Sequence, residues 1–262
     1  DSEGFHTKAT ATIGIMRLNR EREALTNNHI RDALYNAFSR KKLTKFILKD
    51  GSEPAFYFVP KNFAKGPEGK DFRVKYPTIN KMSDKEMMAA WKKGLEEIGK
   101  DSLTFELMIR NNSTTEKVGT FVASQLEKNL PGLTININKQ PSGQFLKLEK
   151  GQQYDISLSY WIPDYKDPMT YLGMWVTGNS ANRSGYSNSK YDALIQKAKH
   201  LGQKPKKRWE IMQKAEKVLL EDVGFIPVYQ YGKIYVQKPY VKHITQRMLS
   251  DIDWTRAKVL KH

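Results

Sequence analysis

Alternation of apolar and polar positions predicts short strands spread along the whole chain. Three of them, TKATATIGIMRL (7–18), LTFELMI (103–109) and the run that opens with LTINI (133–137), combine β-branched residues with period-two alternation. A fourth, YDISLSYWI (154–162), is an apolar strand that ends next to a tryptophan. The stretch FIPVYQYGKIYVQ (225–237) predicts a hairpin made of two further strands.

Apolar residues spaced three and four positions apart predict helices between these strands. Two helices are expected to open with a capping box, in which a serine and a glutamate satisfy each other's backbone amides, at Ser83–Glu86 and Ser113–Glu116. Strands and helices alternate between residues 103 and 162, and this order predicts an α/β sheet. The predicted helices begin at Asn27 or Asn28, at Ser39, at Ser83 (to Gly99), at Ser113 (to Pro131-Gly132), around Phe145, at 169 (to 175), at Ser189 (to Gly202) and at Pro205 (to about Asp222).

Residues 50–81 are rich in Gly, Pro, Lys and aromatic residues and show no clear periodicity. We interpret this segment as a long ordered loop, because its aromatic side chains need apolar cover. The residues concerned are Phe56, Tyr57, Phe58 and Phe72. A polar Gly/Asn/Ser loop is expected at 177–188, and the stretch after 237 is weakly patterned.

The 262 residues carry a formal net charge of +16 and include no cysteine. The size and a hydrophobic share of 39% fit one large or two small globular domains. The charge allows two interpretations: a solubilising surface, which the dispersed basic residues favour, or attraction to an anionic partner such as nucleic acid or a membrane face. The chain opens with DSEGFHTK, without a starting Met or a targeting signal, so we expect a mature product or a fragment.

Patterns that would indicate an enzyme, a cofactor site or a metal site are missing from the sequence. Without cysteine there is no disulfide, thiol nucleophile or cysteine metal site, and the five histidines are scattered. No Walker loop, GxGxxG, GxSxG or HExxH occurs. No apolar run reaches the roughly 18 residues that a membrane span needs. The sequence therefore does not support an enzyme, and we expect no cofactor and no metal.

The candidate chemistry lies in SLSYWIPDYKDPMTYL (157–172), where a strand ends in a turn with two aspartates. In open α/β sheets ligands bind beyond the carboxyl ends of strands, where Asp164 is placed. Asp167 adjoins Pro168, so we interpret it as the cap of a short helix. For Asp164 two interpretations stay open: a similar cap, or a partner for the ammonium group of a ligand.

Three further residues next to Asp164 are candidates for the same site. Trp161 is either one wall of the ligand pocket or a core residue, as most strand tryptophans are. Tyr160 and Ile162 could pair through their backbone groups with an extended ligand, if the strand edge is open there.

Four stretches together resemble the second half of the oligopeptide-binding proteins of ABC importers, a class of extracytoplasmic solute-binding lipoproteins. The Trp-x-x-Asp-Tyr-x-x-Pro element and the Gly-Tyr-Ser-Asn element are the most specific parts of the resemblance. The stretches are IRDALYNAFSRKKL (30–43), YDISLSYWIPDYKDPMTYL (154–172), NRSGYSNSKYDALI (182–195) and FIPVYQYGKIYV (225–236).

The resemblance implies a role for each candidate residue. Asp164 would pair with the α-amine of a bound peptide, and the residues flanking Trp161, Tyr160 and Ile162, would pair with peptide backbone. Tyr229 and Tyr231 would approach the ligand cleft. Family members are about twice as long, so the resemblance implies a fragment that lacks the first lobe.

The implied fold is an α/β, periplasmic-binding-protein-like lobe, a mixed β-sheet flanked by helices. Residues 1–26 would form a crossover segment into the lobe, residues 27–237 the peptide-binding lobe, and residues 238–262 a tail that returns to the first lobe. Partners would be an oligopeptide, the membrane permease and that first lobe, with no specific nucleic acid. The location would be the outer face of the cytoplasmic membrane, through a lipid anchor, or the periplasm. The alternative is a basic surface protein that binds nucleic acid or another polyanion.

Overall fold

The computed structural model describes residues 4–246, 248–249 and 252–261, and it contains a mixed six-stranded sheet. The strands are β1 Phe5–Leu18, β2 Glu53–Pro54, β3 Leu103–Arg110, β4 Leu133–Gln140, β5 Ile156–Trp161 and β6 Ile226–Val236. Their order in the sheet is β2-β6-β1-β5-β3-β4, with β1 antiparallel to β5 and β6, and β3 parallel to β4 and β5. A mixed sheet flanked by helices confirms the predicted fold class.

Strand β1 runs through the middle of the sheet because its second half is apolar on both faces. Ala11, Ile13 and Ile15 point to one face, Met16 and Leu18 to the other, and each is at most 1% exposed. Consecutive side chains of a strand point to opposite faces. The strand therefore separates two hydrophobic cores.

The first core lies between one face of the sheet and the helices of the first half of the chain. Trp91 is its largest side chain and donates its indole N–H to the carbonyl of Pro131 at 2.9 Å. The helices on this side are α1 Glu23–Thr26, α2 Asn28–Asn36, α3 Arg40–Lys42, a π-helix Leu43–Leu48, α4 Asp84–Glu97 and α5 Ser113–Asn129.

The second core lies on the other face, under helices from the last third of the chain and the segment 50–81. Trp175 stacks on Phe225 with 4.6 Å between ring centroids. The elements that contribute here are a 3₁₀ turn Phe72–Val74, α7 Met169–Leu172, a second 3₁₀ turn Gly173–Trp175, α8 Ser189–Lys199 and α9 Pro205–Glu221. A further helix, α6 Ser142–Lys150, precedes β5.

The segment 50–81 is ordered by a buried ion pair and by its aromatic residues. Glu216 of α9, fully buried, accepts the backbone N–H groups of Phe58 and Val59 at 2.9 and 2.8 Å and pairs with Arg73. Such a carboxylate is tolerated in the interior because charge and hydrogen bonds both compensate its lost hydration. Tyr57, Phe58 and Phe72 are buried and Phe56 is half-buried, which confirms the predicted ordered loop.

The helix starts agree with the sequence at some positions and differ by one residue at two. The capping box of Ser83 and Glu86 is present as predicted. Helix α5 is capped by Asn112, whose side chain accepts the amide of Thr115 at 3.0 Å, so the predicted box at Ser113 is wrong. Glu116, which would complete that box, pairs instead with Lys139 at 3.1 Å. Helix α8 is likewise capped by Asn188 and not by Ser189.

The predicted hairpin at 225–237 is wrong, because β6 is one continuous strand along β1. Gly232 lies inside the strand against the backbone of the segment before β2. A Cβ at this position would lie 2.2 Å from backbone atoms of Gly51 and Ser52. The glycine permits a close approach of two backbones rather than a turn.

After β6 the chain forms two small two-stranded ladders. Strands β7 Val241–Lys242 and β10 Lys258–Val259 form one, and β8 Thr245–Gln246 and β9 Ile252–Asp253 form the other. The Ala11 amide of β1 donates to the carbonyl of Met248 at 3.1 Å, so this part of the chain contacts the lobe. Of the predicted tail 238–262, residues 247, 250, 251 and 262 lie outside the described residues. None of the helices in the described part of the chain is long and apolar enough to span a membrane.

Candidate ligand-binding site

The backbone of β5 changes partners along its length and becomes an open edge near its carboxyl end. Strand β3 pairs with β5 through Leu107–Ile156 and Met108–Ser157. From Leu158 onwards, β5 is paired on one side alone, with β1, among the described residues. An unpaired strand edge offers N–H and C=O groups to an incoming chain.

The register with β1 decides which residues of β5 face that open side. The Asn19 amide donates to the carbonyl of Asp155 at 3.0 Å, so this pair is hydrogen-bonded. In an antiparallel ladder hydrogen-bonded and non-hydrogen-bonded pairs alternate, so Trp161 bonds to β1 through Ile13. The backbone groups of Tyr160, and by the same alternation those of Ile162, point away from β1 to the open side. These are the two residues that the sequence singled out.

The side chain of Tyr160 belongs to an aromatic group on the face of the first core. Its ring lies 6.0 Å from that of Tyr231, which lies 4.5 Å from that of Tyr229. Tyr160 is exposed, Tyr231 is half-buried and Tyr229 is buried, so accessibility falls along the row. Gly14 leaves room for Tyr229, because a Cβ there would lie 2.8 Å from the tyrosine ring. Burial raises the pKa of both Tyr229 and Tyr231 above the ordinary value of a tyrosine.

Trp161 points to the opposite face, where its half-buried ring packs against the second core. Its indole Nε1 is buried and has no hydrogen-bond acceptor among the described residues. The residue thus packs on the second core.

The two aspartates of the turn have different surroundings. Asp167 accepts both terminal nitrogens of Arg208, at 2.7 and 2.9 Å, and the amide of Met169 at 2.8 Å. Burial would raise the pKa of Asp167, but the bonds from Arg208 and Met169 outweigh it and hold that pKa below its ordinary value. This confirms that Asp167 supports the short helix α7.

Asp164 is exposed, and its carboxylate forms no hydrogen bond or ion pair with residues 4–246, 248–249 or 252–261. Its backbone amide donates to the hydroxyl of Thr170 at 3.0 Å, which fixes the turn and leaves the side chain free. In this chain Asp164 therefore lies on an open, solvent-accessible surface.

Sequence reasoning missed Arg110, the last residue of β3. Its guanidinium carbon lies 3.9 Å from the centroid of the Phe145 ring and 4.7 Å from that of Tyr160. The side chain is 8% exposed, and its Nη1 has no hydrogen-bond partner among the described residues. A buried guanidinium nitrogen without an acceptor is costly and therefore unusual. The signal in the sequence was a basic residue at the carboxyl end of an apolar strand.

A buried ion cluster lies on the face that Trp161 and Ser159 share. Glu149 of α6 approaches Arg17 at 3.5 Å, accepts from Arg183 at 2.8 Å and accepts the hydroxyl of Ser157 at 3.0 Å. Burial would raise the pKa of Glu149, but the charge of Arg17 and the hydrogen bond from Arg183 hold it below its ordinary value. These ion pairs and the hydrogen bond from Ser157 fix α6 to the sheet.

Within the described ranges, no three His, Asp or Glu side chains lie close enough together to hold a metal ion. The groups that the site offers are one free carboxylate, one partly free guanidinium, an aromatic surface and an unpaired strand edge. This set can bind an extended, zwitterionic chain through ion pairs and backbone hydrogen bonds.

Comparison with known proteins identifies relatives over almost the whole chain. At 30% identity over 253 residues, the chain is similar to the dipeptide-binding protein DppE of Bacillus subtilis, covering 97% of this chain and 46% of that protein. A crystal structure of an oligopeptide ABC transporter (substrate-binding domain) from Bacillus anthracis superposes with a TM-score of 0.90 at 42% identity, over 98% of this chain and 51% of that one. Listeria monocytogenes OppA bound to peptide superposes with a TM-score of 0.88 at 32% identity, over all of this chain and 51% of that one.

The chain spans about half the length of these relatives. The model of the bacterial extracellular solute-binding proteins, family 5 (middle part), matches residues 1–183. Members of this family are solute-binding components of transport systems rather than enzymes, which agrees with the prediction from sequence. The chain belongs to family 5 of the bacterial extracellular solute-binding proteins.

Proposed function

We propose that this chain is the C-terminal lobe of an extracellular substrate-binding protein that captures oligopeptides for an ABC transporter. The observation that carries the proposal is the open edge of β5, where the backbone groups of Tyr160 and Ile162 face away from β1. The free carboxylate of Asp164 follows this edge directly. The names of the relatives, which refer to dipeptide and oligopeptide binding, support the same class of ligand.

In this proposal an extended peptide adds to β5 as a further strand. Its backbone pairs with Tyr160 and Ile162, and its α-ammonium group pairs with Asp164. Backbone pairing supplies affinity without selecting side chains. Tyr160 and Tyr231 line the path of the peptide, and Tyr229 and Trp161 support them from the two cores.

Arg110 is the proposed partner for a carboxylate of the peptide, either its C-terminus or an acidic side chain. The guanidinium is held rigidly between Phe145 and Tyr160 and keeps one nitrogen without an acceptor. A carboxylate would satisfy that nitrogen with a charge-assisted hydrogen bond, which is stronger than a neutral one.

The remaining partners follow from the relatives, which are twice as long as this chain. A preceding lobe would close over the peptide, and the closed form would deliver it to the membrane permease. The location would be the outer face of the cytoplasmic membrane, through a lipid anchor, or the periplasm.

The test is a calorimetric titration of the 262-residue chain with one uncharged hexapeptide, free and N-acetylated, at two salt concentrations. We expect the free amine to bind more tightly and the difference to vanish in Asp164→Asn. Affinity should change little with salt, since backbone bonds and at most two ion pairs, at Asp164 and Arg110, carry the binding. A steep log-linear loss of affinity with salt would instead indicate polyanion-type binding.

If neither peptide binds, the titration is repeated on a chain that includes the preceding lobe. Binding there would assign the site to both lobes together, and failure there would overturn the proposal. Equal affinity for the free and acetylated peptides would remove Asp164 from the site and leave the strand edge to be tested separately.

A further inference from the structure

A second surface of the lobe combines lysines with an exposed aromatic residue. It is formed by Lys41, Lys42, Lys45, Phe46 and Lys49, which we call the basic patch. All five side chains are exposed, with Phe46 at 57%, whereas Leu43 and Thr44 between them are buried. The patch is therefore one face of the segment formed by α3 and the π-helix.

The lysines of the basic patch have no acidic partners. None of the four forms a salt bridge with any residue in the described ranges, in contrast to four other exposed lysines, Lys92, Lys93, Lys139 and Lys206. The Lys45 ammonium lies 5.3 Å from the centroid of the Phe46 ring. The positive charge of this face is thus not compensated locally, and it adds to a chain of net charge +16.

The backbone that presents Phe46 is unusual. Residues Leu43–Leu48 form a π-helix that ends at Lys49 in the left-handed conformation, with φ of +53°. Short π-helical turns cost stability and are frequent at functional sites. The segment packs on α5, so the patch has a rigid support.

A cleft of about 550 Å³ opens beside the patch and shares Lys42 with it. Lys128 and Asn129 of α5 line it from another side, Met88 of α4 lies at its rim, and Asp84 is the one acidic residue of its wall. Like the patch lysines, Lys128 has no ion-pair partner in the described part of the chain. The cleft thus offers two free ammonium groups beside apolar side chains.

We propose that the basic patch is a membrane-contact surface that holds the lobe against anionic phospholipids. The patch lysines are attracted to the negatively charged surface of the bilayer, and the Phe46 ring enters the membrane–water interface. Lys42 and Lys128 together bind the phosphate of a lipid headgroup in the cleft. Each lysine near an anionic bilayer contributes attraction that decays within a Debye length. A single exposed aromatic residue adds a shallow anchor, so the contact is reversible. This inference is independent of the peptide site.

The test is co-sedimentation of the 262-residue chain with vesicles of phosphatidylcholine, with and without phosphatidylglycerol. We expect binding to the anionic vesicles alone, weakening as salt rises. Changing the four patch lysines to Gln should lower the partition coefficient at least about tenfold. Phe46→Ala should lower it severalfold and leave the salt dependence unchanged.

A matched control removes four exposed, ion-paired lysines, Lys92, Lys93, Lys139 and Lys206, by the same Gln substitutions. This variant has the same net charge as the patch variant, and its binding should fall by much less. Equal loss in both variants would show that diffuse charge is responsible and would overturn the proposal. Two further outcomes would contradict the proposal. One is that the chain binds double-stranded DNA as tightly as vesicles and with the same dependence on the patch lysines; the other is that it does not bind anionic vesicles.

Discussion

Two aspartates three residues apart, Asp164 and Asp167, show how neighbouring residues of one type take different roles. Asp167 is held by Arg208 and by the Met169 amide, whereas Asp164 has no partner in the described part of the chain. Sequence pattern could assign Asp167, because a residue before Pro168 at a helix start follows a local rule. The role of Asp164 depended on contacts that no local rule describes.

Exchange of each aspartate for Asn should separate stability from binding. Asp167→Asn is expected to lower the free energy of unfolding by about 1 kcal/mol, because it weakens a half-exposed bidentate pair. Asp164→Asn should change it by less than about 0.5 kcal/mol. In a two-lobe protein that buries the ion pair between Asp164 and the peptide ammonium group, Asp164→Asn should lower peptide affinity about a hundredfold. This expectation is near the low end of the roughly 2–5 kcal/mol that breaking a buried charge pair costs. Urea unfolding and calorimetry measure the two effects, and a large stability loss in Asp164→Asn would contradict this assignment.

Glu149 makes the free energy of unfolding depend on pH in the acidic range. Its folded-state pKa is lowered, so its contribution is fully present above the ordinary pKa of 4.5 and is lost as pH falls through the folded value. Glu149→Gln is expected to lower stability at pH 7 by about 3 kcal/mol, since Arg17 and Arg183 lose their buried partner. The difference in unfolding free energy between pH 7 and pH 3 should be smaller in the variant. An unchanged difference would mean that other carboxylates dominate acid unfolding.

Arg110 could not be assigned from sequence, because its significance lies in a missing contact. Strand β3 was predicted to end at 109, and a basic residue after it is ordinary. The aromatic cover comes from Phe145 and Tyr160, which lie 35 and 50 positions further along the chain. Packing of this kind is set by the tertiary fold rather than by periodicity.

At the scale of one strand, alternation along β5 makes the role of the backbone testable. The N–H of Ile162 points to the open side, whereas that of Trp161 faces β1. Ile162→Pro removes that donor without breaking the β1 ladder, so we expect weaker peptide binding, about tenfold for one lost hydrogen bond, and near-native stability. Ile162→Ala, which keeps the N–H, is the matched control and should bind almost normally. Equal affinity of the Pro and Ala variants would argue against strand addition.

The start of helix α5 gives a second test at this scale. Asn112 accepts the amide of Thr115, while Ser113 is exposed and its expected partner Glu116 binds Lys139. Asn112→Ala should therefore cost about 1 kcal/mol in the free energy of unfolding. Ser113→Ala should stay within about 0.5 kcal/mol, as expected for a surface substitution. A reversed order of the two effects, measured by urea unfolding, would restore the capping box predicted from sequence.

Most elements could be predicted because periodicity and caps are local properties. The sequence failed at 225–237, where Gly232 signals a turn by local rules. A glycine is needed at position 232 because the backbone of Gly51 and Ser52, about 180 residues away in the chain, approaches it closely. Long-range contact of this kind has no local signature, so the sequence predicted a hairpin where the strand is continuous.

For the whole molecule, fold class could be predicted but strand order could not. The alternation between 103 and 162 requires an α/β sheet. The central position of β1 depends on pairing with β6, more than 200 residues later in the chain. Family resemblance supplied the expectation of a lobe, and the sheet order had to come from the structure.

The first part of β1 and the last part of β6 form an antiparallel ribbon, Phe5–Ala9 with Gly232–Val236, that no other described strand joins. Phe5 is 53% and Val236 71% exposed, and they face each other in register at the end of the ribbon. Exposed apolar residues that adjoin one another are a candidate interface when they form a contiguous patch. We infer that it contacts the proposed first lobe.

The lobe by itself should therefore associate with further copies through the ribbon. Sedimentation velocity is expected to show an average mass that rises with concentration, because exposed apolar pairs associate weakly when no lobe covers them. Phe5→Ser with Val236→Ser should shift the chain toward monomer. The control is Phe46→Ser with Val74→Ser, which removes a phenylalanine and a valine of similar exposure, 57% and 65%, elsewhere on the surface. A sharp monomer at every concentration, with slow hydrogen exchange through residues 238–246, would contradict the interface and make the ribbon an ordinary solvent-exposed edge.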